Sequence, residues 1–549
     1  MVAAVSRDYS SLLKTVSRKQ WGEIGTQRRA GVAVPLFSLH SKNSVGIGDF
    51  LDLKSAVDWC KLTGNSILQL LPLNCMGNNN APYSAQSSFA LDASYISLND
   101  VIGVDITKFQ KDILRLRTQF SIVAGSDGAS RVDFGVKKEK LDLLYNMFRN
   151  RIVNDETERS FRKFKEKTAK YWLDDYVMYR VLKEVNHEKS WTDWDVQYKN
   201  RDTDALETFS TAFSEKLEFH RWVQWQLFEQ LKAAKDYATS KGVNLMGDMP
   251  FLTSKDSADV WSKKHYFNLD RGAGAPADMY SKDGQRWGMP THNWQAIKAD
   301  NDYEFIRQKR QYAQNFYHID RNDHVFGMFR IWTIMNNEPP ETKGLNGVFV
   351  PPGSFRDNET LWEAQGRELL TLMIESSDML HSAEDLGSPP KCCTLVLREL
   401  GIPGIDVDRW TPANENFREV ATSTTSTHDS SFIPACLSRS EEPKYSKRLA
   451  HDLQIDDSLI REASPETVRM ALARAANQSS IFFIPPIFDV LATNRDGNEL
   501  ARNHVLNQPG IVDDKFWKLR VHLSLEQMQA LEDNERIRLI NQNSGRFVD

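Results

Sequence analysis

The chain has 549 residues and a formal net charge of −5, which suits one large decorated domain or several smaller ones. Hydrophobic residues make up 40% of it and charged residues 26%, as in an ordinary globular protein. The acidic balance argues against a basic surface for nucleic acid or an anionic membrane.

Cysteines and apolar segments narrow the class of protein further. The chain has five cysteines and no C-x-x-C pair, which gives no support to a disulfide framework or a zinc site. The most apolar stretch, SIFFIPPIFDVLA, is too short to span a bilayer, and the first twenty residues lack the apolar centre of a secretion signal. We therefore expect a cytoplasmic protein that does not enter a membrane.

Short apolar runs of strand length recur along the chain, and several end in polar or charged residues. They are GVAVPLFSL (31–39), SILQLLPLN (66–74), VNLMGDMPF (243–251), FYHIDRND (316–323), MLHSAEDLG (379–387), GIDVDRW (404–410), ATSTTSTHD (421–429) and SSIFFIPPIFDVL (479–491). Helical periodicity lies between many of them, as in DFLDLKSAVDWCKLTG after the first run. Eight strands that alternate with helices predict an α/β fold, a (β/α)8 TIM barrel.

The segment from about residue 100 to residue 240 does not follow the barrel pattern. Its apolar residues recur at helical spacing, which predicts amphipathic helices. One face combines Leu141, Leu144, Tyr145, Phe148 and Ile152, and another combines Phe219, Trp222, Leu227, Phe228 and Leu231. We expect an N-terminal extension over residues 1–30 and a single catalytic barrel domain over 31–549, with a helical insertion at about 100–240.

Acidic residues collect where the predicted strands end. Asp248 lies in MGDMP, Asp323 in RNDH, Glu384 and Asp385 in AEDLG, and Asp429 in STHDS. The ends of barrel strands carry the reactive groups of this fold, and cleavage of a glycosidic bond needs one carboxylate and one carboxylic acid. With 14 tryptophans and 15 tyrosines available to sugar rings, this set favours sugar chemistry, although any one of these aspartates alone is equally consistent with a helix cap.

A series of motifs in this order resembles the 4-α-glucanotransferases (amylomaltase, or disproportionating enzyme) of the α-amylase clan. The motifs are GVAVPLFSLHSKNSVGIGDFLDL, NAPYSAQSSFALDASYISL, GDMPFLTSKDSADVW, GQRWGMPTHNW, RNDHVFGMFRIW, AEDLG, STHDS and NQPGIVDDKFWKLR. The extended DHVFGMFRIW is similar to the branch that includes plant cytosolic enzymes acting on maltose. The starch-binding domains of those plant enzymes are not expected here, since only about thirty residues precede the barrel.

The resemblance implies retaining transfer of α-1,4-glucan segments or glucose among maltooligosaccharides, maltose or a glycogen-like glucan. It implies no cofactor and no metal, and we infer no obligate protein partner. Two alternatives stay open at this point: an α-1,4-glucan hydrolase of the same clan, and a catalytically weak homologue that only binds glucan.

The family motif R-x-D-H corresponds to Arg321, Asp323 and His324. Arg321 and Asp323 are two residues apart and therefore share one face of a strand, so Arg321 can keep Asp323 ionised as a nucleophile. Asp320 lies three residues before Asp323, so it falls on the other face of the strand and is expected to point toward the surrounding helices. The stretch FRIW lies downstream of the motif, so Trp332 replaces no catalytic residue.

The other site residues are implied by the resemblance. Glu384 matches the acid/base, and Asp429 matches the third catalytic carboxylate. The expected substrate-binding residues are Tyr83 as a platform under the sugar, Gln285 and Trp287 in a substrate-covering loop (insertion about 252–300), His324, His428, Arg321, Asp248 and, more weakly, Asn507. Trp287 fits a core position equally well, and Asp248 fits a purely structural role behind the site.

Two departures from the family pattern affect these expectations. Asn322 occupies a position that is usually apolar, which indicates either a wet or hydrogen-bonded strand or a weakened enzyme. The stretch SSFIPACLS after His428 and Asp429 lacks an arginine and a tryptophan that the family often has there, which puts acceptor binding and the balance with hydrolysis in doubt.

Overall fold

The structure is a computed structural model, and it describes residues 7–77, 80–277, 281–351, 359–411, 416–438 and 443–548. Its strands are numbered here in chain order. They are β1 (Arg29–Val34), β2 (Ile67–Leu70), β3 (Asn244–Met249), β4 (Phe267–Asn268), β5 (Arg271–Ala275), β6 (Gln285–Arg286), β7 (Thr291–His292), β8 (Ile319–Asn322), β9 (Ile331–Met335), β10 (Val348–Val350), β11 (Leu380–Ala383), β12 (Gly404–Val407), β13 (Ala421–Thr424) and β14 (Phe482–Phe483).

Parallel strands, one from each of the eight predicted runs, form the central sheet of the described chain. Its order is β11-β8-β3-β2-β1-β14-β13-β12, and the backbone N–H of Ala383 donates to the carbonyl of Pro403 at 2.8 Å, so that the two ends of the sheet meet. Both β8 and β11 are buried along their whole length, as expected for strands covered on both faces. The predicted (β/α)8 barrel is confirmed.

Helices precede, separate and follow these strands. They are α1 (Arg18–Ile24), α2 (Asp52–Leu62), α3 (Gln110–Gln119), α4 (Val136–Arg149), α5 (Asp155–Thr168), α6 (Asp174–Val185), α7 (Val196–Lys199), α8 (Thr203–Ala212), α9 (Ser214–Ser240), α10 (Ala258–Ser262), α11 (Trp294–Ala299), α12 (Glu304–Ala313), α13 (Glu359–Ser376), α14 (Lys391–Leu400), α15 (Ile433–Ser438), α16 (Pro443–Leu453), α17 (Asp457–Arg461), α18 (Pro465–Ala476), α19 (Ile487–Leu491), α20 (Arg495–Asn503), α21 (Leu525–Gln529) and α22 (Asn534–Asn543). In the described residues, no helix combines the length and the apolar character that a membrane span requires.

The region between β2 and β3 is helical, with α3 to α9 in sequence. The predicted face of α9 is buried at Phe219, Trp222, Leu227 and Leu231. The predicted face of α4 is wrong at one residue, because α4 ends at Arg149 and Ile152 is 54% exposed. The backbone N–H of Ile152 donates to the carbonyl of Gly103 at 2.7 Å rather than to a helical carbonyl.

A second, antiparallel sheet and a two-stranded ribbon lie in the loops that follow β3 and β8. The sheet has the order β10-β9-β5-β6, and the ribbon pairs β4 with β7. The segment 252–300 contains α10, β4 to β7 and α11; its role as a substrate-covering insertion stays a prediction.

The N-terminal segment packs against the barrel through α1. Trp21 is fully buried, its ring stacks on Phe482 of β14 at 5.7 Å, and its indole N–H donates to the carbonyl of Gly401 at 2.8 Å. These contacts lie beside the first residues of the barrel strands, away from the strand ends that carry the acidic residues.

Candidate active site

Asp323 follows the last residue of β8 and is held by a buried arginine. One terminal nitrogen of Arg321 donates to both carboxylate oxygens of Asp248, at 2.7 and 2.8 Å, and to Asp323 Oδ1 at 3.1 Å. The side chains of Asp248 and Arg321 are 0% and 6% exposed, whereas that of Asp323 is 25% exposed. The bond from the Arg321 guanidinium orients the Asp323 carboxylate and leaves part of it accessible.

Glu384 follows β11, the strand next to β8, and its carboxylate is bonded through both oxygens. Oε2 accepts from the backbone N–H of His324, the residue after Asp323, and Oε1 accepts from the backbone N–H of Leu386, each at 2.9 Å. Burial raises the pKa of Glu384 to about 7; Arg321 opposes this shift and the negative charge of Asp323 adds to it. Near neutral pH, Glu384 can therefore hold a proton, as the acid of glycoside cleavage must.

Asp429 and His428 lie on the turn after β13 and contact each other. His428 Nε2 is 3.4 Å from Asp429 Oδ2, and the amide of Asn507 donates to Asp429 Oδ1 at 2.7 Å. Burial alone would lower the pKa of His428, but the carboxylate of Asp429 outweighs it and raises that pKa. The pair therefore places an imidazole and a carboxylate side by side at the opening of the barrel.

Tyr83 lies between this pair and the buried carboxylate of β3. Its hydroxyl donates to Asp248 Oδ2 at 2.8 Å, and its ring stacks on the imidazole of His428 at 5.0 Å with an interplanar angle of 21°. Tyr83 thus connects the Arg321–Asp248 pair to the β13 turn. Asp248 is fully buried and reaches the site through Arg321 and Tyr83, and a direct contact with substrate stays a prediction.

His324 adopts a left-handed backbone conformation (φ +42°) directly after Asp323. Trp287 packs edge-on against its imidazole at 4.9 Å, and the Trp287 indole N–H donates to the side-chain oxygen of Gln285 at 3.1 Å. Both Gln285 and Trp287 are partly exposed, and the β6 loop lies over the residue next to Asp323. Trp287 also packs against the hydrophobic core, so its substrate-binding role stays a prediction.

Asp320 faces away from the opening, as the alternation of side chains along the strand predicts. It accepts from Arg310 of α12 at 2.5 Å and contacts His381 Nδ1 at 2.5 Å, while His381 Nε2 lies 2.9 Å from the carbonyl of Met373. Burial opposes ionisation of Asp320, but His381 and Arg310 together lower its pKa. Asp320 is thus a structural anion, and only Asp323 of the two aspartates faces the site.

Asn322 shares the outer face of β8 with Asp320. Its amide nitrogen donates to the carbonyl of Ser382 at 3.1 Å, and its side-chain oxygen is buried without a hydrogen-bond partner in the described residues. Asn322 also lines a small cavity together with Asp323 and His292. Of the two explanations for an asparagine here, the hydrogen bond favours a partnered strand.

Two contacts at the site were not predicted. The ring of Trp517 lies 5.8 Å from both Tyr83 and His428. At the turn where the family arginine and tryptophan are lacking, Arg409 from the loop after β12 donates to the Ser431 carbonyl at 2.7 Å, and its guanidinium lies 5.3 Å from the Trp410 ring. The signals in the sequence were the position of Trp517 in the motif NQPGIVDDKFWKLR and that of Arg409 and Trp410 at the end of a predicted strand.

A metal site was not expected, and the described ranges contain no group of three or more His, Cys, Asp or Glu side chains placed to hold an ion. Two of the acidic residues of the site contact basic side chains: Asp248 contacts Arg321, and Asp429 contacts His428.

The chain was compared with known proteins. The family model described as 4-alpha-glucanotransferase matches residues 34–525. A 4-alpha-glucanotransferase of Chlamydia pneumoniae is 33% identical over 529 residues, which cover 93% of this chain and 95% of that protein. The 4-alpha-glucanotransferase DPE2 of Oryza sativa subsp. japonica is 32% identical over 346 residues, which cover 61% of this chain and 35% of that protein.

A solved structure, the amylomaltase from Streptococcus agalactiae in complex with acarbose, has a TM-score of 0.78 to this chain at 23% identity and covers 95% of this chain and 100% of its own. That likeness shows the shared fold. The family model spans most of the chain, and the chlamydial relative aligns along nearly the whole length of both proteins. The chain therefore belongs to the 4-alpha-glucanotransferase family, as its motifs predict.

Proposed function

We propose that this 4-alpha-glucanotransferase acts by double displacement with retention, with Asp323 as nucleophile and Glu384 as acid/base. The observation that carries the proposal is the pair of carboxyl groups at the ends of β8 and β11. Arg321 donates to Asp323 Oδ1 at 3.1 Å, while burial raises the pKa of Glu384 to about 7.

In the first step, Asp323 attacks the anomeric carbon, and a bond forms between that carbon and a carboxylate oxygen. The bond to the glycosidic oxygen breaks, and that oxygen takes the proton of Glu384. In the second step, Glu384 removes the proton from a 4-hydroxyl of an acceptor glucan. The acceptor oxygen then replaces Asp323 at the anomeric carbon, so that two inversions give retention.

The other side chains hold the sugar at this carbon. We propose that Asp429 and His428 bind ring hydroxyls and favour the distorted, oxocarbenium-like ring, with Asn507 fixing the orientation of Asp429 at 2.7 Å. Tyr83 supplies an aromatic face beneath the sugar. Gln285 and Trp287 cover the site from the β6 loop, and His324, which Trp287 contacts, lies beside Asp323 at the end of β8. Asp248 and Arg321 fix Tyr83 and Asp323 relative to each other.

The donors and acceptors are proposed to be maltooligosaccharides, with maltose and glycogen-like glucan as further candidates. The bound acarbose of the Streptococcus agalactiae amylomaltase makes acarbose a suitable probe for the same site here. The predicted kinship with the branch of plant maltose-acting enzymes stays a prediction, since the rice relative aligns with 61% of this chain.

Incubation with maltotriose tests the function and separates it from the hydrolase alternative. We expect glucose and longer oligosaccharides to appear while the number of reducing ends stays constant, because each transfer cleaves one glycosidic bond and forms another. A net rise in reducing ends would favour hydrolysis. Acarbose binding without any change in maltotriose would instead favour a glucan-binding homologue.

The pH dependence of transfer tests the role of Glu384. The proton that Glu384 donates is lost as the pH rises through its pKa of about 7, so kcat/KM is expected to fall about tenfold per pH unit above that value. The measurement is the rate of glucose release from maltotriose between pH 5 and 9. A rate that stays constant up to pH 9 would contradict a Glu384 acid.

A further inference from the structure

We propose that Trp517 is a positioning residue of the active site, which acts through Tyr83 and His428. This inference rests on the proposed function of the site, because Tyr83 and His428 are given their roles there. Trp517 lies in the segment after α20, far along the chain from both partners, and is 9% exposed.

The first support is a closed set of ring contacts. The Trp517 ring lies 5.8 Å from the Tyr83 ring at 53° and 5.8 Å from the His428 ring at 43°, and Tyr83 and His428 stack on each other at 5.0 Å. Each ring of this triangle therefore limits the movement of the other two, and tilted aromatic pairs at these distances are attractive.

The second support is the backbone of Trp517, which has a φ of +59°. A bulky side chain is rarely found in this left-handed region, and the strain persists only when the surrounding structure imposes it. Here the backbone N–H of Trp517 donates to the carbonyl of Leu506 at 2.9 Å, and the next carbonyl, of Lys518, accepts from Val132 at 2.8 Å. A backbone held on both sides of the residue turns the indole ring toward Tyr83 and His428.

The third support is that two of the three rings, those of Tyr83 and His428, are tied to carboxylates of the site. The Tyr83 hydroxyl is fixed by Asp248, which shares Arg321 with Asp323. The His428 ring contacts Asp429, whose other oxygen is bonded to Asn507 of the same C-terminal segment as Trp517. Tyr83 thus belongs to one hydrogen-bonded group, with Asp248, and His428 contacts the other, with Asp429. Trp517 belongs to neither group and packs against both rings.

The test uses the full-length enzyme with Trp517→Asn, Trp517→Phe and, as a matched control, Phe516→Ala. Asparagine tolerates the left-handed backbone but removes the ring, whereas phenylalanine keeps a ring of smaller size. Phe516 is the adjacent, partly buried aromatic residue. We measure kcat and KM for maltotriose, acarbose affinity and thermal unfolding of each variant.

We expect Trp517→Asn to lower kcat/KM ten- to a hundredfold, the order of loss caused by a misplaced sugar. Trp517→Phe should recover most of it, and Phe516→Ala should stay within about threefold of wild type. If Trp517→Asn does not fold, Trp517→Leu takes its place, since leucine preserves apolar volume without a ring face.

A Tyr83→Ala background separates positioning from a general structural role. If Trp517 acts through the triangle, the same Trp517 substitution should cost less than about threefold once Tyr83 is absent, because coupled residues are not additive. An equal loss in both backgrounds, or a folded Trp517→Asn enzyme with wild-type kcat/KM, would overturn the proposal. A wild-type enzyme without transfer would instead refute the proposed function.

Discussion

Asp323→Asn is expected to lower kcat for glucan transfer by at least about a thousandfold, the order of loss when a nucleophile is removed. Asparagine has nearly the same shape and its amide oxygen can still accept from Arg321, which lies 3.1 Å from Asp323 Oδ1. It cannot form the glycosyl ester, so the reaction stops before the first bond breaks. The measurement is glucose release from maltotriose, with acarbose binding recorded by calorimetry to show that the site is intact.

Asp320→Asn is the matched control for this substitution, because Asp320 lies three residues earlier on the opposite face of β8. Its carboxylate is fully buried between Arg310 and His381. Removing one partner of a buried ion pair costs about 3–5 kcal/mol, so the expected effect is a large loss of unfolding free energy. The Asp320→Asn enzyme that remains folded should transfer glucan at close to the wild-type rate. A wild-type rate in Asp323→Asn, or a loss of acarbose binding equal to its loss of rate, would contradict the assignment of the nucleophile.

Glu384→Gln should have the second largest effect, and the effect should depend on the leaving group. Loss of a general acid costs about a hundred- to ten-thousandfold with maltotriose, whose leaving oxygen needs a proton. Fluoride leaves with much less protonation, so formation of the glycosyl enzyme from α-maltosyl fluoride should be far less affected. A burst of fluoride release measures this step. Equal losses with both donors would show that Glu384 does not act as the acid.

The same substitution is expected to change stability with pH. The pKa of Glu384 is raised from 4.5 to about 7. The contribution of the protonated Glu384 to the unfolding free energy of the wild type is therefore fully present below about pH 4.5 and is lost as the pH rises through 7. Above that pH, the ionised, buried carboxylate costs about 3 kcal/mol. Denaturant titrations should therefore show Glu384→Gln gaining stability over wild type between pH 5 and pH 8. A constant difference across this range would contradict the raised pKa.

The barrel and the positions of its carboxylates could be predicted because they depend on local rules. Each apolar run is long enough for one buried parallel strand, and residues at strand ends in this fold meet on one face. The alternation of side chains along β8 separated Asp323 from Asp320 without any structural information. Motif order identified the family, and the comparisons confirm the family and its enzyme class.

Other features of the site depend on contacts between distant parts of the chain, which local patterns do not encode. The barrel, the strand ends and the side-chain alternation that selects Asp323 follow from patterns within single segments. The end of α4 before Ile152, the burial that raises the pKa of Glu384 to about 7, and the contact of Trp517 with Tyr83 follow from packing between segments. The reason is physical: side-chain alternation is a property of one strand, whereas desolvation and a strained left-handed backbone arise only when separate segments pack together.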